Sequence, residues 1–284
     1  MAKPLVTYAP VQLVQTGGSA GFTPTATQGT GITWTASSLP TGASVNSGTG
    51  AITGTLSTHG KWEVELIATN ADGEFRLKVS FIVYDSIVTI DAAWLADSAN
   101  QHDDGWKIES GNSYKIYRLD QNVTSVKTAF WIADDNIYLD LNGHEIHHDG
   151  DNGAYKYGVA LYTKEYFTDT TYISPSQTPL ITNRAAPQNC AIFNGSIIND
   201  GTGDLCHSVC AHRGDGTLMA ELETTTTGKD SCAIFARFGG SYPVYIHNCI
   251  LECGLTDTFN RHAGPAVAQV NGQVMSENNL LVGQ

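Results

Sequence analysis

The residues best equipped for chemistry lie close together, in His144-Glu145-Ile146-His147-His148-Asp149-Gly150-Asp151 and then Tyr155-Lys156-Tyr157. Imidazoles, carboxylates, an amine and phenols in so short a span supply both proton acceptors and proton donors. Elimination on a uronic-acid polymer needs a base for the proton beside the sugar carboxylate and a cation that neutralises that carboxylate. Lys156, Tyr157 or His148 meets the first need, and Arg184 or Arg213 meets the second, with Tyr155, Asp149 and Asp151 as substrate contacts. Hydrolysis would instead need two carboxylates about 5 to 9.5 Å apart. Asp149, Asp151, Asp200, Asp204 and Asp215 are the candidates for that pair. The same residues also make an ordinary solvated polar loop, and the sequence leaves these readings open.

The element that must position this cluster is the stretch just before it, Asn136 to Ile146, NIYLDLNGHEI. Apolar Ile137, Leu139 and Leu141 alternate, the chain turns at Asn142-Gly143, and Ile146 resumes the pattern, which reads as strand, bend, strand. NCAIFNGSII from Asn189, PVYIHNCIL from Pro243 and QVMSENNLL from Gln273 repeat the logic, each running a strand into Asn194, Asn248 or Asn278. The intervals are 194−142 = 52, 248−194 = 54 and 278−248 = 30. They predict a coil of roughly 25 residues per turn, seen at every second turn and then once. The alternation sits one residue closer to the asparagine in the first copy, which one bulged residue would reconcile.

Composition bounds the answer. The chain has 284 residues, 41% of them apolar, with 29 glycines and only 15% charged. Little helical periodicity is present, so an all-β protein of one or two domains is expected. A net charge of −13 argues against nucleic acid as a partner, and mildly against an acidic polysaccharide. No run of about 18 apolar residues occurs, so no membrane insertion is expected. The start, MAKPLVTYAP, lacks the apolar centre of a secretory signal. Either that signal has been removed or the protein leaves its cell by another route, such as a virus particle.

All six cysteines follow residue 189. Cys206 with Cys210, and Cys249 with Cys253, are spaced four apart, and His207 and His212 lie near the first pair. Buried thiols, disulfides and a zinc site are all open, although neither pair has the usual two-residue spacer of zinc ligands.

Residues 1–85 read as a separate β-sandwich, with strands at GITWTAS, GAITGTL, KWEVELIATN and EFRLKVSFIV between turn signals. The stretch SSLPTGASVNSGTGAITGTLSTHGKWEVELIATNADG resembles bacterial immunoglobulin-like modules related to cadherin repeats. The resemblance implies a spacer or adhesive stalk in an extracellular, cell-surface or virus-particle setting. It does not imply calcium binding, because no acidic ligand set is identified and Asp72 belongs to its turn; the cofactor stays unknown, with calcium left open. Residues 86–106 read as a connector in which Asp91 caps a short helix, AAWLADSA, serving as a lid on the first rung.

Residues 107–284 resemble the right-handed parallel β-helix, or pectate-lyase-like, superfamily, on the strength of NIYLDLNGHEI and its copies. The phrase marks fold rather than activity, and in that superfamily asparagines stack at the bends of successive rungs. None of the segments of the polygalacturonase group is present, and no catalytic residue carries over. Insertions at about 147–186, 200–230 and 254–266 are where binding or chemistry is expected. The chain stops just after a repeat copy, which implies a truncated polypeptide or an end covered by a partner. Arg213-Gly214-Asp215 and the sequons at Asn122 and Asn194 carry little weight.

Two readings follow. One is a surface-exposed carbohydrate-directed protein that binds, and in a lyase-like version cleaves, a polysaccharide. The other is a purely structural phage fibre or surface stalk, with homo-oligomerisation, as a trimer for instance, or particle assembly covering its faces.

Overall fold

A computed structural model describes residues 2–102, 105–109, 111, 114–148, 157–161, 187–201, 206–212, 216–227, 231–237, 243–253, 267–270, 274–277 and 279–283. The chain is nearly all β and divides into two compact units, Met1–Ile87 and Val88–Gln284.

The first unit is a sandwich. Thr33–Ser37, Gly60–Asn70, Gly73–Tyr84 and Val11–Gln15 form one sheet, in which only Val11–Gln15 runs parallel to its neighbour. Gly18–Ser19, Ile52–Leu56 and Ala43–Val45 form the other. Alternate residues Val64, Leu66 and Ala68 face Trp34, Phe22 and Phe81 in a shared apolar core. The pairing of Ala43–Val45 with Ile52–Leu56 explains two glycines of the LPTG and GAITGTL phrases. A Cβ on Gly54 would collide with the carbonyl of Gly42, and one on Gly42 with the carbonyl of Thr55. Both glycines have positive φ, 128° and 92°.

The second unit is a solenoid of parallel strands. After Ser86–Ile90 comes a helix, Ala92–Ala96, where Asp91 Oδ1 accepts the Trp94 amide at 2.8 Å. Trp94 and Leu95 pack against the solenoid core. Beyond it the chain lays down parallel strands, each hydrogen-bonded to the strand one coil later. The registers Ile116↔Tyr138, Tyr138↔Ala191, Ala191↔Leu218, Leu218↔Tyr245 and Tyr245↔Met275 give coils of 22, 53, 27, 27 and 30 residues.

Those registers revise the repeat count. The interval from Asn142 to Asn194 is one coil enlarged by an insertion, whereas Asn194 to Asn248 holds two coils. The unseen rung is Leu218–Thr226, in which Glu221 stands where its neighbours have asparagine. The first copy also carries two extra residues at its corner rather than one, because Asp140↔Phe193 and Glu145↔Ser196 leave 145−140 = 5 against 196−193 = 3.

Two strands, Ala191–Asn199 and Leu218–Thr226, pass through a corner and make the larger sheet fork. One branch contains Lys115–Leu119, Ile137–Asp140 and Val244–His247. The other contains Val123–Ser125, Glu145–His148, Ile250–Cys253 and Leu280–Gly283. A separate sheet stacks Gly105–Ile108, Phe130–Ile132, Val159–Leu161, Val209–His212, Ile234–Arg237 and Val267–Val270. The interior between them is filled in layers. Leu139, Ile192, Met219 and Ile246 come from one branch, Ile146, Ile197 and Leu251 from the other, and Phe130, Val159, Val209 and Ile234 from the separate sheet. Full burial of each such side chain contributes about 1.5–3 kcal/mol.

The corners follow from backbone chemistry. Asn142, Asn194 and Asn248 adopt left-handed φ of 52°, 65° and 52°, a conformation asparagine tolerates because its short amide bonds locally. Asn142 Nδ2 reaches back to the carbonyl of Leu119 at 3.1 Å, and Asn194 Nδ2 to Asp140 Oδ1 at 3.0 Å, tying one rung to the one before. Asn278 lies outside the described residues.

Candidate functional site

The outward-facing residues divide the solenoid into covered and open faces. On the branch containing Ile137–Asp140, outward Ile116, Tyr138, Ala191 and Leu218 are fully buried. Burial pushes the Tyr138 phenol far above its ordinary range. On the separate sheet, outward Trp131, Ala160 and Cys210 are buried together with Tyr157. On the second branch the outward positions are open. They form two columns, Glu145, Ser196, Glu223, Ile250, Leu280 and, beside it, Thr124, His147, Ile198, Thr225, Glu252.

This open flank is the candidate site. Strands in such a stack lie about 4.8 Å apart, so the five that carry Thr124, Glu145, His147, Ser196, Glu223, Thr225 and Glu252 present polar positions over about 19 Å, interrupted by Ile198 and Ile250, and the sixth adds Leu280. At its far edge, where the first insertion leaves the stack, His147 Nε2 lies 3.0 Å from Asp200 Oδ1. Both side chains are partly open to solvent, and the contact is close enough for an ion pair but out of line for a good hydrogen bond. Glu145, two residues earlier on the same strand, is fixed by its amide, which donates to Asn122 Oδ1 at 3.1 Å. Carboxylates and hydroxyls on this face accept hydrogen bonds from sugar hydroxyls, and no lysine or arginine stands in either column.

Of the sequence-predicted residues, His148 and Tyr157 are described, and the structure places them apart from the open columns. His148 ends its strand on the inward side, opposite Ser125 and Asn199, and is 0% exposed. Tyr157 is 6% exposed, edge-on to Trp131 and stacked at 5.8 Å on His207, whose other face lies 4.6 Å from Phe235. A polymer lying on the surface reaches neither ring as they stand. Lys156, Arg184, Arg213, Tyr155, Asp149 and Asp151 lie outside the described residues, as do Asp204 and Asp215. His147, a member of the sequence cluster with no role assigned to it there, is the outward histidine of the pair. Strand alternation was the available signal: with Ile146 inward, His148 must share its side and His147 must face out.

The thiols do not build a site. All six cysteines are buried thiols outside any disulfide. Among the described residues, no group of three or more His, Cys, Asp or Glu is placed to hold a metal ion. His207 Nδ1 accepts the Cys232 amide at 3.0 Å and lies 3.2 Å from its sulfur. Burial lowers the His207 imidazole to about 3, so the ring is neutral in this pocket. The Cys249 thiol is pushed up to about 12, chiefly by burial, and is inert as a nucleophile.

One further ion pair anchors the covered branch beside the corner. Arg118 Nε donates to Asp140 Oδ2 at 2.8 Å, while Asp140 Oδ1 accepts from the Asn142 amide and from Asn194 Nδ2. With three partners, Asp140 is committed to holding the corner.

The comparisons with known proteins bear on the sandwich. Residues 3–84 match the family model described as "Putative Ig domain". The first unit is an immunoglobulin-like domain. No curated protein matches the chain. Two solved structures from Bacteroides fragilis NCTC 9343 share limited likeness. A protein described as a "putative alpha-galactosidase" is 22% identical over 28% of this chain and 17% of its own, with a TM-score of 0.25. A second, described as a "putative alpha-galactosidase/melibiase", is 20% identical over 30% of this chain and 20% of its own, also at 0.25. The chain therefore spans a fifth or less of the length of either protein, and the immunoglobulin-like domain rests on its own sheets and family match.

Proposed function

We propose that this protein is a surface-exposed, carbohydrate-directed protein, in which a right-handed parallel β-helix binds a polysaccharide along its open flank. In this reading the immunoglobulin-like domain attaches or spaces the binding unit at a cell surface or virus particle. The observation that carries the reading is the contrast between faces: apolar outward residues are buried elsewhere, while the flank offers Glu145, His147, Ser196, Glu223, Thr225 and Glu252 in ordered columns. Such a strip suits an extended, hydroxyl-rich chain. Its acidic character, with the net charge of −13, selects an uncharged polymer over a polyanion.

Affinity electrophoresis through gels containing dextran, galactomannan, arabinoxylan, alginate or polygalacturonate tests this. Retardation by at least one neutral polymer and none by the anionic ones is expected. Migration unaffected by every polymer overturns the reading. A cleaving version requires a uronic-acid polymer, with Lys156 as base and Arg184 or Arg213 as neutraliser; unsaturated products from alginate or polygalacturonate would support it and would overturn the preference for neutral polymers.

A structural stalk is favoured by a different observation. Ile250 and Leu280, on the same flank, are 43% and 57% exposed and offer apolar contact to a protein partner. A trimeric mass in solution supports that reading, and a monomer at micromolar concentration removes it.

A further inference from the structure

The solenoid's corners use a restricted set of residues, with one exception. In one corner column stand Asn136, Asn189 and Gly216, at φ 58°, 58° and 66°. In the other stand Asn142, Asn194, Glu221 and Asn248, with Glu221 at φ 53°. A long unbranched side chain gains nothing from the left-handed region and bears its steric cost, whereas asparagine recovers that cost through local bonds. The asparagines here do so: besides the Asn142 and Asn194 bonds described above, Asn189 Nδ2 donates to Asn136 Oδ1 at 2.8 Å.

Glu221 makes no such return. Its side chain has no hydrogen bond or ion pair with any described residue, and the residue is exposed. Partial desolvation raises its carboxyl above the ordinary value, and the nearby Asp140 charge raises it further. Its place in the fold is strained, without a side-chain bond among the described residues and electrostatically opposed, yet it stands at the edge of the open flank, two residues before outward Glu223. A local rule broken without a structural gain points to function.

We propose that Glu221 is a ligand-contacting residue of the flank, its carboxyl accepting hydrogen bonds from the hydroxyls of a neutral polysaccharide beside the side-chain amide of Asn248. The assignment rests on the carbohydrate reading above. Asp140 behind the corner disfavours an anionic ligand at this point. A neutral polyol chain meets no such penalty and supplies donors that the carboxyl lacks.

The test compares the full chain with E221N and E221Q, in thermal unfolding and in affinity electrophoresis with dextran, galactomannan and arabinoxylan. E221N restores the corner residue used in the rungs on either side. Its melting temperature is expected to rise by about 2–4 °C, while affinity for the retarding polymer falls about 10-fold or more. E221Q keeps the strained backbone and a hydrogen-bonding head but removes the charge that Asp140 opposes, so its melting temperature rises less than that of E221N and its loss of affinity is smaller. A wild-type protein that is retarded, with E221N retarded equally, overturns the role of Glu221 and leaves the carbohydrate reading standing. A lower melting temperature for E221N overturns the strain argument. If no polymer retards the wild type, the carbohydrate reading falls and takes this assignment with it.

Discussion

Two strands of the solenoid belong to both branches of the forked sheet, and each changes character at its corner. Before Asn194, the outward residues of Ala191–Asn199 are Ala191 and Phe193, both buried; after it they are Ser196 and Ile198, both partly open. Before Glu221, the outward residues of Leu218–Thr226 are Leu218 and Ala220, both buried; after it they are Glu223, exposed, and Thr225, partly open. One continuous strand thus reads as a two-sided buried run and then as an inward-outward alternation, the patterns expected of sheets covered on both faces and on one. What separates a covered face from an open face is therefore set at the corner, within a few residues.

The comparison can be broken most severely by exchanging characters across it. L218E puts an unpaired charge at a fully buried outward position and is expected to cost about 4 kcal/mol, read as a lowered denaturation midpoint. If L218E costs no more than a surface change, the covered face is not covered.

The buried stack beneath the separate sheet gives a pH signature that the flank lacks. His207 takes up its proton near 6.5 when unfolded but only at about 3 when folded. The unfolded chain therefore binds more protons between those values, and stability falls as pH drops through that window, levelling off below about 3. Between pH 7 and pH 3 the component is about 4 kcal/mol. Urea midpoints across pH 3 to 7 should show this slope, and H207F should flatten it.

A smaller effect belongs to the corner itself. R118A leaves the Asp140 carboxylate, whose side chain is 2% exposed, without its cation. Arg118 is itself 32% exposed, so solvent softens the loss to about 2 kcal/mol. D140N added to R118A should recover part of it, because the uncompensated charge is then gone. At the other extreme, E223A on the open flank should change stability by less than about 0.5 kcal/mol, and a larger loss would mean that the flank is structural.

Much of the scaffold was legible in the residues. Alternating Ile137 and Leu139 and the asparagines at 142, 194 and 248 marked strands and corners, because strand periodicity and left-handed corners are local properties. The coil count is not legible where locality fails. Glu221 hides a rung by replacing the asparagine that signals a corner, and the two additional residues near Asn142 mimic a single bulge. The burial of Tyr138 and Leu218 was not legible, since an outward face is covered or left open by chain remote in sequence. His148 and His147 are neighbours in sequence but differ in side, and the chemistry-bearing cluster was read as a group where the strand separates it.

Blocking the open flank tests most directly whether it binds neutral polysaccharide. S196R/T225R places two long cationic side chains on adjacent outward columns, at positions where neither residue fills the core. With the unfolding midpoint unchanged, retardation by the neutral polymer that binds the wild type should be lost. Full retardation of the folded double variant would contradict the account and move binding elsewhere on the molecule.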